Sequence, residues 1–207
     1  MASSFRNSIL LSLRKLKFLH LLDQLRFQWM RIRNYQKNKL FRKTYPQVAL
    51  PSDYLIYESF QLDYHKYYLD SRETAQWLIR HFAKHILLED KKILDWGCGP
   101  GRIIRHLPEL IGNKCEFYGT DYNKDSIAWC SKNIPNVSFN LNSLEAKLPW
   151  PDNTFDVIYG ISIFTHLSEN MHFAWLKELV RILKPATAGG GGEFYSSPHK
   201  AIISMSN

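Results

Sequence analysis

The sequence predicts an α/β chain built on a doubly wound parallel sheet, and three observations carry that expectation. Short apolar runs at 92–96, 115–120, 136–140 and 155–161 read as strands and alternate with helical patterns near 101–107, 123–132 and 169–184; strands and helices in alternation make parallel sheets. The first strand leads directly into Gly97-Cys98-Gly99-Pro100-Gly101, where three glycines at alternate positions let the backbone turn sharply and meet a ligand with no Cβ in the way. The second strand closes on an acid, Asp121, twenty residues beyond Gly101.

The helix before the first strand is written by Asp70 as N-cap, Glu73 three residues on, and Ala75, Leu78, Ile79, Phe82, Ala83 and Ile86 at helical spacing. The last helix has Ser168 as its cap, an inner stripe of Leu176, Leu179, Val180 and Leu183, and Pro185 as its stop. Beyond Pro185 a glycine run at 189–192 interrupts the pattern, so Glu193 to Ser197 is the remaining candidate for a fifth strand and the C-terminal strands read as incomplete. The organisation expected is a basic helical extension over 1–45, an aromatic-rich lid or linker over 46–69, a core over 70–185 and an atypical glycine-rich tail over 186–207. In 46–69, Tyr54, Tyr57, Phe60, Tyr64, Tyr67 and the following Tyr68 suit core packing as readily as a lid.

At 207 residues and 45% hydrophobic composition, the chain can bury one substantial core. Cys98, Cys115 and Cys130 are odd in number and contain no Cys-x-x-Cys pair, which argues against a disulfide framework or a zinc knuckle and makes a reducing, cytoplasmic setting the default. No apolar stretch of about eighteen residues reads as a membrane span. Gly-x-Ser-x-Gly and Gly-Lys-Ser/Thr signatures are missing, and no metal site is expected.

Charge is uneven. Residues 1–45 hold eleven Lys/Arg against the single acid Asp23, a balance of +10 in a chain whose net is +8, leaving −2 for the remainder. A basic face attracts phosphates, whether of nucleic acid or of an anionic membrane. Leu10, Leu11, Leu13, Leu16, Phe18, Leu19, Leu22 and Leu25 point around the helix instead of lining one stripe. Three readings stand for this arm: a helix packed on the domain, a helix on a membrane surface, or a nucleic-acid clamp. The lack of sidedness counts against the second. The first twenty residues, basic and acid-free, share features of a transit peptide, against which an accessory helix is preferred.

The glycine loop admits two ligands, a dinucleotide through its pyrophosphate or S-adenosylmethionine through its carboxylate. The free N–H groups of a helix beginning at Arg102 would favour either anion. The dinucleotide fingerprint Gly-x-Gly-x-x-Gly would need a glycine where Arg102 stands. Asp95, two residues before the first glycine, can meet the ammonium group of a bound amino acid, for which a dinucleotide has no counterpart. Asp121 lies at the spacing that reads ribose hydroxyls.

Asp95-x-Gly97-x-Gly99-x-Gly101, followed by the acid that closes the second strand, resembles the class I S-adenosylmethionine-dependent methyltransferases. Asp121-Tyr122-Asn123, Ile127 to Cys130, Leu148 to Asp152, Phe155 to Tyr159 and Ser162 to Leu167 follow in that superfamily's order; they resemble a bacterial branch with a basic N-terminal extension, and the resemblance spans roughly residues 45–185. It implies a Rossmann-like fold with S-adenosylmethionine held by Asp95, Gly97, Cys98, Gly99 and Gly101 at the methionine end and by Asp121 at the ribose. Tyr122 would lie against the adenine, Asn142 and Ser143 at its edge, and Ile161 with Ser162 near the transferred methyl. His166 is the nearby imidazole able to act as base. The acceptor implied is a small molecule or a cell-surface glycan or lipid precursor, in the cytoplasm or at the inner membrane surface. RNA held by the arm, or a non-catalytic fragment, are the rival readings.

Overall fold

The computed structural model describes residues 19–112 and 114–185, together with the backbone of 202–205. The chain divides into two compact units, one ending at Tyr67 and one beginning at Tyr68.

The first unit is helical: α1 over 19–33, α2 over Tyr35–Thr44 and α3 over Asp53–Phe60. One side of α1 and α2 is held by polar anchors. Asn38, buried, donates to the Leu62 carbonyl at 2.8 Å and accepts from the Tyr64 amide at 3.1 Å, while Asn34 donates to the Gln61 carbonyl at 2.9 Å. Gln61 and Leu62 take left-handed φ values of 53° and 58°, the turn that presents these carbonyls. Asp23, the one acid of the arm, accepts the Tyr57 hydroxyl at 2.7 Å, and Phe27 packs edge-on against Tyr54 and Tyr57. Burial and the neighbouring carboxylate push the Tyr57 phenol up to about 12.

The second unit opens with α4, Ser71–Phe82, and carries the sheet: β1 Lys92–Trp96, β2 Glu116–Asp121, β3 Ser138–Leu141, β4 Val157–Ile161 and β5 Ile202–Met205. Between and after them lie α5 Leu107–Ile111, α6 Lys124–Asn133 and α7 Glu169–Ile182. The strand order is β3-β2-β1-β4-β5 with every pairing parallel. Ala75, Leu78, Ile104, Leu107, Phe117 and Tyr159 pack on one face, and Leu94, Phe155, Ile158, Trp175, Leu179 and Ile182 on the other. β1 is buried from Ile93 to Trp96, on both faces, as parallel central strands are, and Asp95 is the one acid within that stretch. The order reverses between β1 and β4, and ligands of such sheets bind at the strands' carboxyl ends beside that reversal.

Three local expectations are corrected. The helix expected at 101–107 is a turn, then a 3₁₀ stretch Ile104–His106, then α5. Pro108 has no N–H to return to the Ile104 carbonyl and stands in the first turn of α5, where that donor is not needed, and the regular helix N-terminus expected at Arg102 to meet an anion is not formed there. Asp70 makes no side-chain cap to α4, because a π-helical turn over Lys66–Asp70 already carries it in helical geometry. The fifth strand forms from Ile202–Met205, pairing Ile158 with Ile202 and Ile161 with Met205, whereas 193–197 lies outside the described residues.

Candidate functional site

The glycine loop is clamped to the end of β2. The Gly97 and Cys98 amides both donate to the Thr120 carbonyl, at 2.8 and 3.0 Å. Gly97, Gly99 and Gly101 take φ of 76°, 51° and 71°, the left-handed region closed to most residues. Their surroundings differ. A Cβ on Gly97 would lie 2.2 Å from Ile163 Cδ1, whereas a Cβ on Gly99 would meet nothing within 4 Å. Gly99 therefore presents bare backbone to open space while Gly97 is packed from behind.

Asp121 ties this loop to β2. Its Oδ2 accepts the Gly99 amide and its Oδ1 the Asn123 amide, both at 2.8 Å. Burial pushes the carboxyl up, and those backbone donors pull it down. Each carboxylate oxygen can accept a second bond, so the clamp leaves acceptor capacity for a ligand hydroxyl.

Asp95 sits at the other end of the loop, 4% exposed. Its Oδ2 accepts the Tyr159 hydroxyl at 2.9 Å. Burial pushes Asp95 up to about 7, against the pull of that hydrogen bond and of the Arg102 guanidinium. Burial also pulls Arg102 down, with Asp95 acting in the opposite sense. Such a carboxyl is poised to ionise when a cation arrives.

Cys98 and Cys130 aim their sulfurs at the same acceptor, the Gly99 carbonyl, at 3.6 and 3.7 Å. Burial pushes Cys98 well above the ordinary thiol range and Cys130 up to about 12, so both are packing groups beneath the loop. Tyr122 is 65% exposed beside Asp121. The Asn142 amide donates to the Asp121 carbonyl at 3.0 Å, and its side chain accepts the Thr120 hydroxyl at 2.9 Å. Ser143 is exposed next to it. Ile161 ends β4 half-buried, and Ser162 follows in left-handed geometry, φ 61°, its carbonyl accepting the Thr165 hydroxyl at 2.6 Å. His166 closes a 3₁₀ turn with its backbone, and its side chain lies outside the described residues.

The structure thus gathers Asp95, the glycine loop, Asp121 and Asn142 around the carboxyl ends of β1 and β2, and adds three residues that the sequence reading did not single out. Thr120 holds both the loop and Asn142, and its position immediately before Asp121 is a usable signal. Tyr159 and Arg102 act on Asp95; a lone phenol inside the apolar run 157–161 is the only trace of the first. The reading of no His-x-x-x-His zinc motif, part of the expectation of no metal site, is corrected: His81 and His85 have that spacing, and their rings stand 5.4 Å apart on α4 and the turn after it. Among the described residues no third His, Cys, Asp or Glu joins them to make a metal cluster.

A parallel sheet in this order, with a glycine loop between two buried acids at its carboxyl edge, defines a nucleoside-binding α/β domain. Residues 93–186 match the family model described as a methyltransferase domain. An uncharacterized methyltransferase of Schizosaccharomyces pombe is 30% identical over 153 residues, 67% of this chain and 51% of that protein. A phthiotriol/phenolphthiotriol dimycocerosates methyltransferase of Mycobacterium ulcerans is 30% identical over 108 residues, 50% of this chain and 37% of that protein. Among solved structures, the PH0226 protein of Pyrococcus horikoshii superposes with TM-score 0.50 at 27% identity, covering 62% of this chain and 60% of that one. Residues 93–186 are thus a methyltransferase domain of the class I type, whose cofactor is S-adenosylmethionine. The chain spans about half or less of the length of these two curated relatives.

Proposed function

We propose that this chain transfers a methyl group from S-adenosylmethionine to a small-molecule acceptor or to a glycan or lipid precursor. The observation that carries the reading is the open backbone at Gly99 set between Asp95 and Asp121. Asp95 binds the ammonium of the amino-acid end, and Asp121 accepts from the ribose hydroxyls. Gly99 allows close approach, Gly97, Cys98 and Gly101 hold the loop's shape, Tyr122 covers the adenine, and Asn142 with Ser143 borders it. Ile161 lies toward the reacting end, where His166 is the candidate to take a proton from the acceptor.

S-adenosylmethionine supplies a methyl already activated on a sulfonium, so the protein's part is mainly to align it with the acceptor. The absence of a further catalytic pair among the residues assigned here is compatible with that chemistry. A lipid-precursor acceptor is supported by the name of the Mycobacterium ulcerans relative. The test is binding of S-adenosylhomocysteine against NAD by the wild-type chain and by Gly99→Arg, whose side chain would occupy the cradle without meeting a neighbour at its Cβ. Selective binding of S-adenosylhomocysteine, lost in Gly99→Arg, supports the reading; equal binding by the variant, or preference for NAD, overturns it.

A further inference from the structure

The arm carries an exposed apolar stripe, on the side of α1 away from its packed face. Leu22, Leu25, Trp29 and Ile32 follow the spacing i, i+3, i+7, i+10, which lines one side of a helix. They are 44%, 58%, 54% and 78% exposed, and Leu21 beside them is also exposed. The packed face is a different set: Asp23, Phe27, Met30 and Asn34 make the contacts within the unit. The cations divide in the same way. Arg31 and Lys37 pair with Asp53 and Asp63 at 3.6 and 2.6 Å, and Arg42 donates to the Tyr64 hydroxyl at 2.9 Å. Arg33 instead stands 5.0 Å over the Trp29 ring and Lys39 5.9 Å over the Tyr35 ring, and among the described residues neither has a carboxylate within ion-pair distance.

We propose that this stripe docks on the surface of an anionic lipid bilayer, with the axis of α1 in the plane of the interface. Aliphatic side chains enter the acyl boundary there, Trp29 and Tyr35 suit the headgroup level, and Arg33 and Lys39 meet lipid phosphates. Charge complementarity selects this occupant: residues 1–45 carry eleven cations and one acid. A second copy of the same arm would bring like charge against like charge. Single-stranded nucleic acid would match the cations and Trp29, but Leu22, Leu25 and Ile32 offer bases no stacking face. Among the described residues no helix is long and apolar enough to cross a membrane, in keeping with a helix that lies on one. The inference is independent of the cofactor site, since a chain that bound no S-adenosylhomocysteine would still bind vesicles.

The test is co-sedimentation of the full chain with vesicles of equimolar phosphatidylcholine and phosphatidylglycerol, and with phosphatidylcholine alone. The expected result is binding to the anionic vesicles that weakens about tenfold or more in the Leu25→Glu/Ile32→Glu double variant, in the Arg33→Glu/Lys39→Glu double variant and on neutral vesicles. Lys84→Glu, a charge reversal in the second unit, is expected to bind as wild type. All four positions changed are exposed, so the circular dichroism spectra of the double variants are expected to match the wild type. The proposal is overturned if the wild type ignores anionic vesicles or if Leu25→Glu/Ile32→Glu binds them unchanged. It is also overturned if the double variants lose binding to mixed-sequence RNA, or lose dimerisation, while vesicle binding persists.

Discussion

The Tyr159 hydroxyl donates to Oδ2 of Asp95 at 2.9 Å, across a pair of residues that face each other in register on β4 and β1. This bond favours the ionised carboxylate, while burial favours the neutral acid more strongly and pushes Asp95 up to about 7. If Asp95 binds the ligand's ammonium, binding requires the ion and expels the proton. Affinity for S-adenosylhomocysteine therefore falls as pH drops below 7, by about tenfold per unit, and levels off above it. Calorimetry across pH should show this slope in the wild type, a flat and weaker profile in Asp95→Asn, and a midpoint moved upward in Tyr159→Phe.

His106 predicts an acid limit to stability. It is buried with Nε2 lacking a hydrogen-bond partner, and burial, Arg105 and Arg72 pull it down to about 4. The unfolded chain binds this proton near pH 6.5 and the folded chain only near 4, so folding loses stability as pH falls between those values, by up to about 3 kcal/mol. Denaturant unfolding of His106→Gln should show a shallower loss over that window than the wild type.

The two glycines at 97 and 99 should separate folding from binding. Gly97→Ala forces its Cβ into Ile163, and thermal unfolding should show a destabilisation of about 1–3 kcal/mol. Gly99→Ala meets no neighbour and bears only the left-handed backbone cost, about 1 kcal/mol, so its melting temperature should fall less. Equal losses in the two variants would contradict the orientation of the loop.

Glu178 holds the β3–β4 connection to α7. Its Oε1 accepts the Leu148 amide at 2.6 Å and the Arg181 guanidinium at 2.7 Å, and Arg181 holds its carboxyl below the usual range. Glu178→Ala strands a buried amide and should cost about 1–3 kcal/mol in chemical unfolding.

Much of the second unit was legible because its central strands β1 and β4 are buried on both faces and rich in Ile, Leu, Val and aromatic residues, so β1 at 92–96 and the loop after it declare themselves locally. Asp121 was legible through its spacing from Gly101. The partner of Asp95 was not, because parallel register brings Tyr159 across from 64 residues away and periodicity holds no record of register. The helix expected at 101–107 is divided into a turn, a 3₁₀ stretch and α5, with Pro108 in the first turn of α5, a position that suits proline. Of the residues on which the weak sidedness rests, Leu10 to Phe18 lie outside the described residues; within α1 the exposed side is apolar while the packed side mixes Phe27 and Met30 with Asp23 and Asn34, which blurs the pattern in sequence. The fifth strand was sought where a family pattern would put it, and Ile202–Met205 takes that place instead.

The most direct test of the central claim is calorimetric titration of the wild-type chain and of Asp121→Ala with S-adenosylhomocysteine at pH 8, where Asp95 is ionised. The expected result is one-to-one binding by the wild type and a loss of about tenfold or more in Asp121→Ala, the scale of a lost hydrogen bond to a charged group. Unchanged affinity in the variant, or no binding by a folded wild-type sample, would contradict it.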